Sequence, residues 1–295
     1  MMLENNYLKI EYLPHLGGKI SSIYDKQKKL EFLFQNPNKS YKKPTIGDDF
    51  STFDASGFDD TFPSIDEGEV TINDQKILYP DHGEIWTASF EEKIDKGVIK
   101  LKYNSKILPY TFQKNLLLKN NSLKIRYKIT NTGKFSFPCF YTFHCLIDSK
   151  EGVKLITDKH SKNVTMLFSN SRFNKGDIIS YPITNKNIDL SNPSSLYKGE
   201  FEKFYFIEKV KKGKIGYNYT KNNTKLLIYY NEKKLPYLGF WNTQGGFRSD
   251  YNFALEMSNG YYDSIEIAKQ NDACPTLKPN EFFEFDIEFK IEHYV

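Results

Sequence analysis

The chain has 295 residues, enough to bury a sizeable core as one large domain or two modest ones. Its net charge is +4, yet only Arg126, Arg172 and Arg248 among its 41 basic residues are arginine. Guanidinium forks that read phosphates and base edges are therefore scarce, which argues against a nucleic-acid partner. The lysines alternate with acids and read as solvated strand faces.

No apolar run reaches the length of a membrane span, so no membrane partner is expected. The opening Met-Met-Leu-Glu-Asn-Asn-Tyr lacks a basic region followed by an apolar stretch, and a cytoplasmic location is expected. Cys139, Cys145 and Cys274 are an odd number without a CxxC pair. That pattern implies neither a disulfide framework nor a structural zinc site, and it fits a reducing compartment.

Period-2 alternation dominates from the start. Leu8 to Tyr12 alternate apolar and polar, Gly17-Gly18 make a turn, and Lys19 to Tyr24 resume an extended run. Val98 to Tyr103 form another strand candidate. Leu123, Ile125, Tyr127 and Ile129 alternate with Lys124, Arg126, Lys128 and Thr130. Near the end, Phe283, Phe285, Ile287, Phe289 and Ile291 alternate with Glu284, Asp286, Glu288 and Lys290. Such strands have one buried and one wet face, as antiparallel sheets do. No helix-period segment of useful length stands out. The expected fold class is all-β, a large antiparallel β-sandwich. No repeat or low-complexity linker divides the chain, so one domain over residues 1–295 is expected.

Three stretches break the alternation: residues 39–69, rich in Gly, Pro and Asp; residues 80–86, Pro-Asp-His-Gly-Glu-Ile-Trp; and residues 170–200, rich in Asn, Ser and Pro. Long irregular segments in a β protein tend to carry function. The carboxylates of 54–69 lack the ligand order of a calcium loop and read as a solvated acidic loop. No HxxEH, HxH or Cys/His cluster is present, so no metal is expected. GxGxxG, P-loop and GxSxG motifs are absent too.

Titratable candidates are few. Glu256 interrupts the apolar run Phe253–Met257, which reads as a strand, so its carboxylate sits on a rigid element or simply faces solvent. His144 lies in the strongly apolar run Phe140–Ile147 and reads as a core histidine or as a general acid walled by aromatics. His82 and Trp86 share the irregular 80–86 stretch, where an imidazole and a flat ring fit a ligand site as readily as a packed loop. His160 reads as part of a polar turn, His15 as a turn residue, and His293 as surface.

Read together, these segments resemble the aldose 1-epimerase (galactose mutarotase) superfamily, in a divergent bacterial branch. The resemblance runs through Gly17-Gly18-Lys19-Ile20, Asp59-Asp60-Thr61-Phe62-Pro63-Ser64-Ile65, Pro80–Trp86, the His144 strand, Leu238–Thr243 and Ala254–Ser264. It implies a sandwich with the sugar on an open concave face, and interconversion of the α and β anomers of a free aldose. It matches Glu256 to the general base, His144 to the general acid, and His82 to a second histidine on the sugar. It makes Trp241 and Trp86 candidate walls for the sugar, Asp60 and Asp263 candidate hydroxyl ligands, and Arg248 a candidate for orienting a hydroxyl or tuning Glu256. No cofactor is implied, because proton transfer suffices.

The chain departs from the family in two places. The sugar-contacting Asn-Arg pair of well-studied members is absent, with Thr52 to Ile65 in its place, and the usual His-Pro is His144-Cys145. With so few arginines, a hexose phosphate is not the expected substrate. The competing expectation is a non-catalytic carbohydrate-binding or sensing protein on the same fold.

Overall fold

The structure is a computed structural model that describes residues 1–38 and 40–295. Lys39, the first residue of the irregular stretch 39–69, lies outside the described residues. Among the described residues, strands form a 12-stranded sheet, an 8-stranded sheet and two 2-stranded ribbons. The only α-helix among them is the short Ile265–Gln270. Every strand pairing in the sheets is antiparallel, as the alternation predicts.

The 8-stranded sheet carries the cleanest alternation. Along Phe282–His293, Phe285, Ile287, Phe289 and Ile291 are buried while their neighbours are more open. Tyr127 of Ser122–Asn131 stacks on Phe285 at 4.7 Å between ring centroids, and their strands are paired in register. This apolar face packs against one face of the 12-stranded sheet, and a continuous core joins the two. The ring of Phe58 meets Phe289 across the layers at 5.8 Å.

The centre of the 12-stranded sheet differs. Phe58–Thr61 and Thr142–Cys145 are buried at every position, so both their faces are covered. Phe58 and Asp60 pair with Cys145 and Phe143 and share the core-facing parity. Asp59 pairs with His144 and shares the opposite parity. That opposite face is where the irregular segments fold over the sheet.

Three lysines depart from the expectation of solvated faces. Lys19, Lys114 and Lys203 are all buried. Lys114 lies 2.8 Å from Asp60, and Lys19 lies 2.5 Å from Asp59 and 3.4 Å from Asp54. The acidic segment is therefore not a solvated loop throughout: several of its carboxylates turn inward onto ammonium groups, which is how a buried charge is tolerated.

Candidate active site

Four strands of the 12-stranded sheet lie side by side in the order Thr142–Cys145, Tyr251–Ser258, Tyr237–Gln244, Phe201–Phe206. Thr142 pairs with Ser258, and Ile147 just beyond pairs with Phe253 in the same register, which sets His144 opposite Glu256. Glu256 in turn pairs with Gly239, and Gly239 with Tyr205. One row across the sheet therefore reads His144, Glu256, Gly239, Tyr205. The next row along, about 7 Å away at ~3.4 Å per residue, holds Ala254, Trp241 and Lys203.

Gly239 explains why the row can close up. A Cβ there would lie 3.0 Å from the Tyr205 ring and 3.4 Å from Glu256 Oε2. The missing side chain leaves room between the tyrosine and the carboxylate. Lys203 fills part of that room, with Nζ 3.1 Å from Glu256 Oε2 and 3.0 Å from Asp263 Oδ2. The Tyr205 hydroxyl donates to the other Asp263 oxygen. His144 Nε2 lies 3.7 Å from Glu256 Oε1, and its Nδ1 is buried without a hydrogen-bond partner among the described residues.

The second histidine arrives on a loop held from three sides. The His82 amide donates to the Ile65 carbonyl at 2.6 Å. Gly83 packs its backbone on Phe62 so closely that a Cβ would fall 2.2 Å from the Phe62 oxygen. Glu84, fully buried, accepts hydrogen bonds from the Tyr103 and Tyr110 hydroxyls, Ser105 Oγ and the Lys106 amide. The His82 ring, with Nδ1 2.7 Å from Asp81 Oδ1, stacks on Phe50 at 4.0 Å and meets the His144 ring edge-on at 5.2 Å. Asp81 also accepts from the Phe50 amide at 2.7 Å and so ties the two loops together.

These groups surround a cavity of about 420 Å³ lined by His82, His144, Glu256, Lys203, Asp66 and Asp263 at one end. Electrostatics there are strongly perturbed. Burial pushes the Glu256 carboxyl above its ordinary value, with Lys203 pulling the other way. Burial holds the His144 imidazole well below its ordinary value, and the charges of His82, Lys203 and Lys19 act in the same direction. Burial opposes the charge on Lys203, yet Asp263 and Glu256 together hold its ammonium above the ordinary value. Asp66 is pushed up to about 6 by burial and by the charge of Asp263. A buried carboxylate, an imidazole and an ammonium converging on one cavity form the kind of cluster that moves protons.

No family model matches this sequence, and no curated protein matches it. Solved structures do match, over nearly the whole chain. A galactose mutarotase related enzyme from Lactobacillus acidophilus is 17% identical with a TM-score of 0.72, the match covering 99% of this chain and 97% of that one. A galactose mutarotase-like protein from Lactobacillus casei ATCC 334 is 14% identical with a TM-score of 0.72, covering 99% of each chain. The chain has the galactose mutarotase-like fold. A protein of Synechocystis sp. PCC 6803 is also similar, at 14% identity and a TM-score of 0.77 over 100% of this chain and 96% of its own.

On this mutarotase-like sheet the expected site residues divide. Glu256, His144, His82, Trp241 and Asp263 line the cavity. Asp60, Trp86 and Arg248 sit elsewhere, and each for a visible reason. Asp60 has core-facing parity, and its oxygens are taken by Lys114 at 2.8 Å and the Tyr141 hydroxyl at 2.7 Å. Trp86 is buried behind Phe50 and Phe53 and donates its indole N–H to the Asp81 carbonyl, so it supports the loop rather than facing the cavity. Arg248 lies in the turn between two strands with a positive φ of 56°, and its guanidinium pairs with Asp250 at 3.4 Å. His293 is exposed, as expected, and its ring also makes a 2.6 Å contact with the buried Asp25.

Lys203, Phe50 and Asp66 were not singled out as site residues by sequence reasoning. Lys203 carried one signal: a lone cation beside the consecutive rings Phe204, Tyr205 and Phe206, a run whose apolar residues fall on both strand parities and so leave no solvated face.

Proposed function

We propose that the protein is an aldose 1-epimerase that interconverts the α and β anomers of a free aldose. What carries the reading is the facing pair: His144 Nε2 and Glu256 Oε1, 3.7 Å apart, at the wall of a cavity of sugar-binding size. In the proposed reaction Glu256 takes the proton of the anomeric hydroxyl, His144 delivers one to the ring oxygen, and the C1–O5 bond opens to the aldehyde. Rotation about C1–C2 and closure with the roles reversed return both protons. The ammonium of Lys203 favours the ionised, basic form of Glu256 despite its burial. His82, braced by Phe50 and Asp81, holds a sugar oxygen. No step needs a cofactor.

A second reading has one observation behind it. Burial, with the Lys203 and Lys19 ammonium groups acting in the same direction, disfavours the imidazolium form of His144, and an unprotonated His144 would leave a site that binds sugar without opening it.

Anomer exchange of freshly dissolved α-glucose and α-galactose, followed by polarimetry or NMR, separates the two. Accelerated exchange that disappears in folded Glu256→Gln and His144→Asn supports the epimerase. Sugar binding by calorimetry without acceleration would favour the binder.

A further inference from the structure

The groups of the proposed reaction, His144, Glu256 and His82, gather at one end of the cavity. Its other end is lined by four aromatic rings, Phe168, Phe201, Trp241 and Phe247. We propose that this end is a second sugar subsite, so that the substrate is the reducing end of a disaccharide or longer oligosaccharide. The proposal rests on the epimerase reading for the reacting ring and adds the class of molecule that carries it.

The first observation is the aromatic cluster itself. Trp241 lies 5.8 Å from Phe168, 6.1 Å from Phe201 and 5.3 Å from Phe247, centroid to centroid. Phe168 and Phe247 are each 36% exposed, an uncommon state for neighbouring phenyl rings at the mouth of a cavity. The indole N–H of Trp241 is engaged by Asn252 Oδ1 at 3.0 Å, which fixes the ring without help from a ligand. The backbone of the turn that carries Phe247 is held by its amide, which donates to Thr243 Oγ1 at 3.0 Å.

The second observation is spacing. Glu256 marks the reacting row, and Trp241 stands in the next, about 7 Å along the strands. Phe201 pairs with Thr243 one row further still. A pyranose over Glu256 and His144 fills roughly one such step, so the rings begin where a linked second sugar would lie. The cavity, about 420 Å³, lies within the range of small-molecule sites.

The third observation is chemistry. A pyranose has an apolar C–H face that stacks on aromatic rings and a rim of hydroxyls that needs short polar partners. Asp49, Ser51, Asp250 and Asn252 line the same cavity as the rings and provide that rim.

The test measures anomer exchange for glucose, galactose, maltose, cellobiose, lactose and galactobiose, in wild type and in Phe247→Ala. Phe247 sits in an exposed turn, so folding should survive; circular dichroism checks this. We expect at least one disaccharide to exceed the monosaccharide of its reducing unit by tenfold or more in kcat/KM. Phe247→Ala should lower that ratio several-fold to about tenfold, the range of one aromatic contact. If no disaccharide exceeds its monosaccharide, or the ratio is unmoved in Phe247→Ala, the subsite is overturned. If wild type exchanges none of the sugars, the epimerase reading fails and calorimetric binding judges the subsite separately. Tenfold tighter binding of a disaccharide, lost in Phe247→Ala, upholds it, and equal or absent binding overturns it.

Discussion

Lys203 places its ammonium 3.1 Å from a carboxylate oxygen of Glu256, and both side chains are almost wholly shielded from water. The same ammonium pairs with Asp263 at 3.0 Å, so one cation serves two buried acids. Breaking such an arrangement by removing one partner costs about 3–5 kcal/mol, because the remaining charges stay buried. Lys203→Met should therefore lower the denaturation midpoint markedly. A midpoint equal to wild type would show that the two acids do not depend on Lys203.

Lys203 also shapes the expected pH profile. Burial raises Glu256, so the base form fills in only above the usual carboxylate range. Burial lowers His144, so its protonated form is lost as pH rises past a point below about 6.5. The free-enzyme profile of kcat/KM should then peak on the acid side of neutrality and fall towards alkaline pH. The Lys203 cation lowers the pKa of both groups. In Lys203→Met, both limbs should move to higher pH. A profile flat from pH 5 to 8 in wild type would argue that neither group titrates in the rate.

Removing the proposed acid or base should be far more damaging to rate than to folding. Glu256→Gln and His144→Asn should each reduce kcat by about 10²–10⁴-fold, the usual contribution of one positioned acid or base. Glu256→Gln is isosteric and His144→Asn shortens the side chain by two heavy atoms while keeping it polar, so thermal melts should stay cooperative. Retention of full activity in either variant would remove that residue from the mechanism.

Gly239 gives a sharper geometric test. An added methyl would meet the Tyr205 ring at 3.0 Å and Glu256 Oε2 at 3.4 Å, so one neighbour has to move. Misplacement of a catalytic group by about 1 Å costs on the order of 100-fold in rate. Gly239→Ala should thus lose much of its kcat/KM. If activity is unchanged, the row can relax without disturbing Glu256.

Asp60 should behave in the opposite way. It neutralises Lys114 in the core, where both side chains are fully buried. Asp60→Ala leaves that ammonium unpaired and should destabilise by about 3–5 kcal/mol in chemical denaturation. Sugar affinity in the folded fraction should be retained. Loss of affinity with unaltered stability would restore Asp60 to the sugar site.

The pair Asp59 and Asp60 shows where sequence reading stopped. Adjacent residues on a strand point to opposite faces, so only one of the two lies on the site's side of the sheet. Alternation could not say which, because Phe58–Thr61 is buried on both faces and offers no wet side to set the phase. Trp86 failed for a related reason: within Pro80–Trp86 the sequence places an indole near His82, but only the fold turns it behind Phe50. Glu256, His144 and His82 were legible only through the resemblance, because the motifs around them follow the order found in the mutarotase superfamily, and the three do line one cavity.

By itself the sequence determined the antiparallel β architecture, since a period of two with one apolar face has few other ways to bury its surface. It also placed a carboxylate and an imidazole on strands, where backbone geometry is stiff. The tertiary structure alone decided which acids meet which lysines, that Lys203 stands between Glu256 and Asp263, and that four aromatic rings gather at the cavity's far end. Those contacts depend on strand order and cross-strand register between segments far apart in the chain, and no local pattern encodes either.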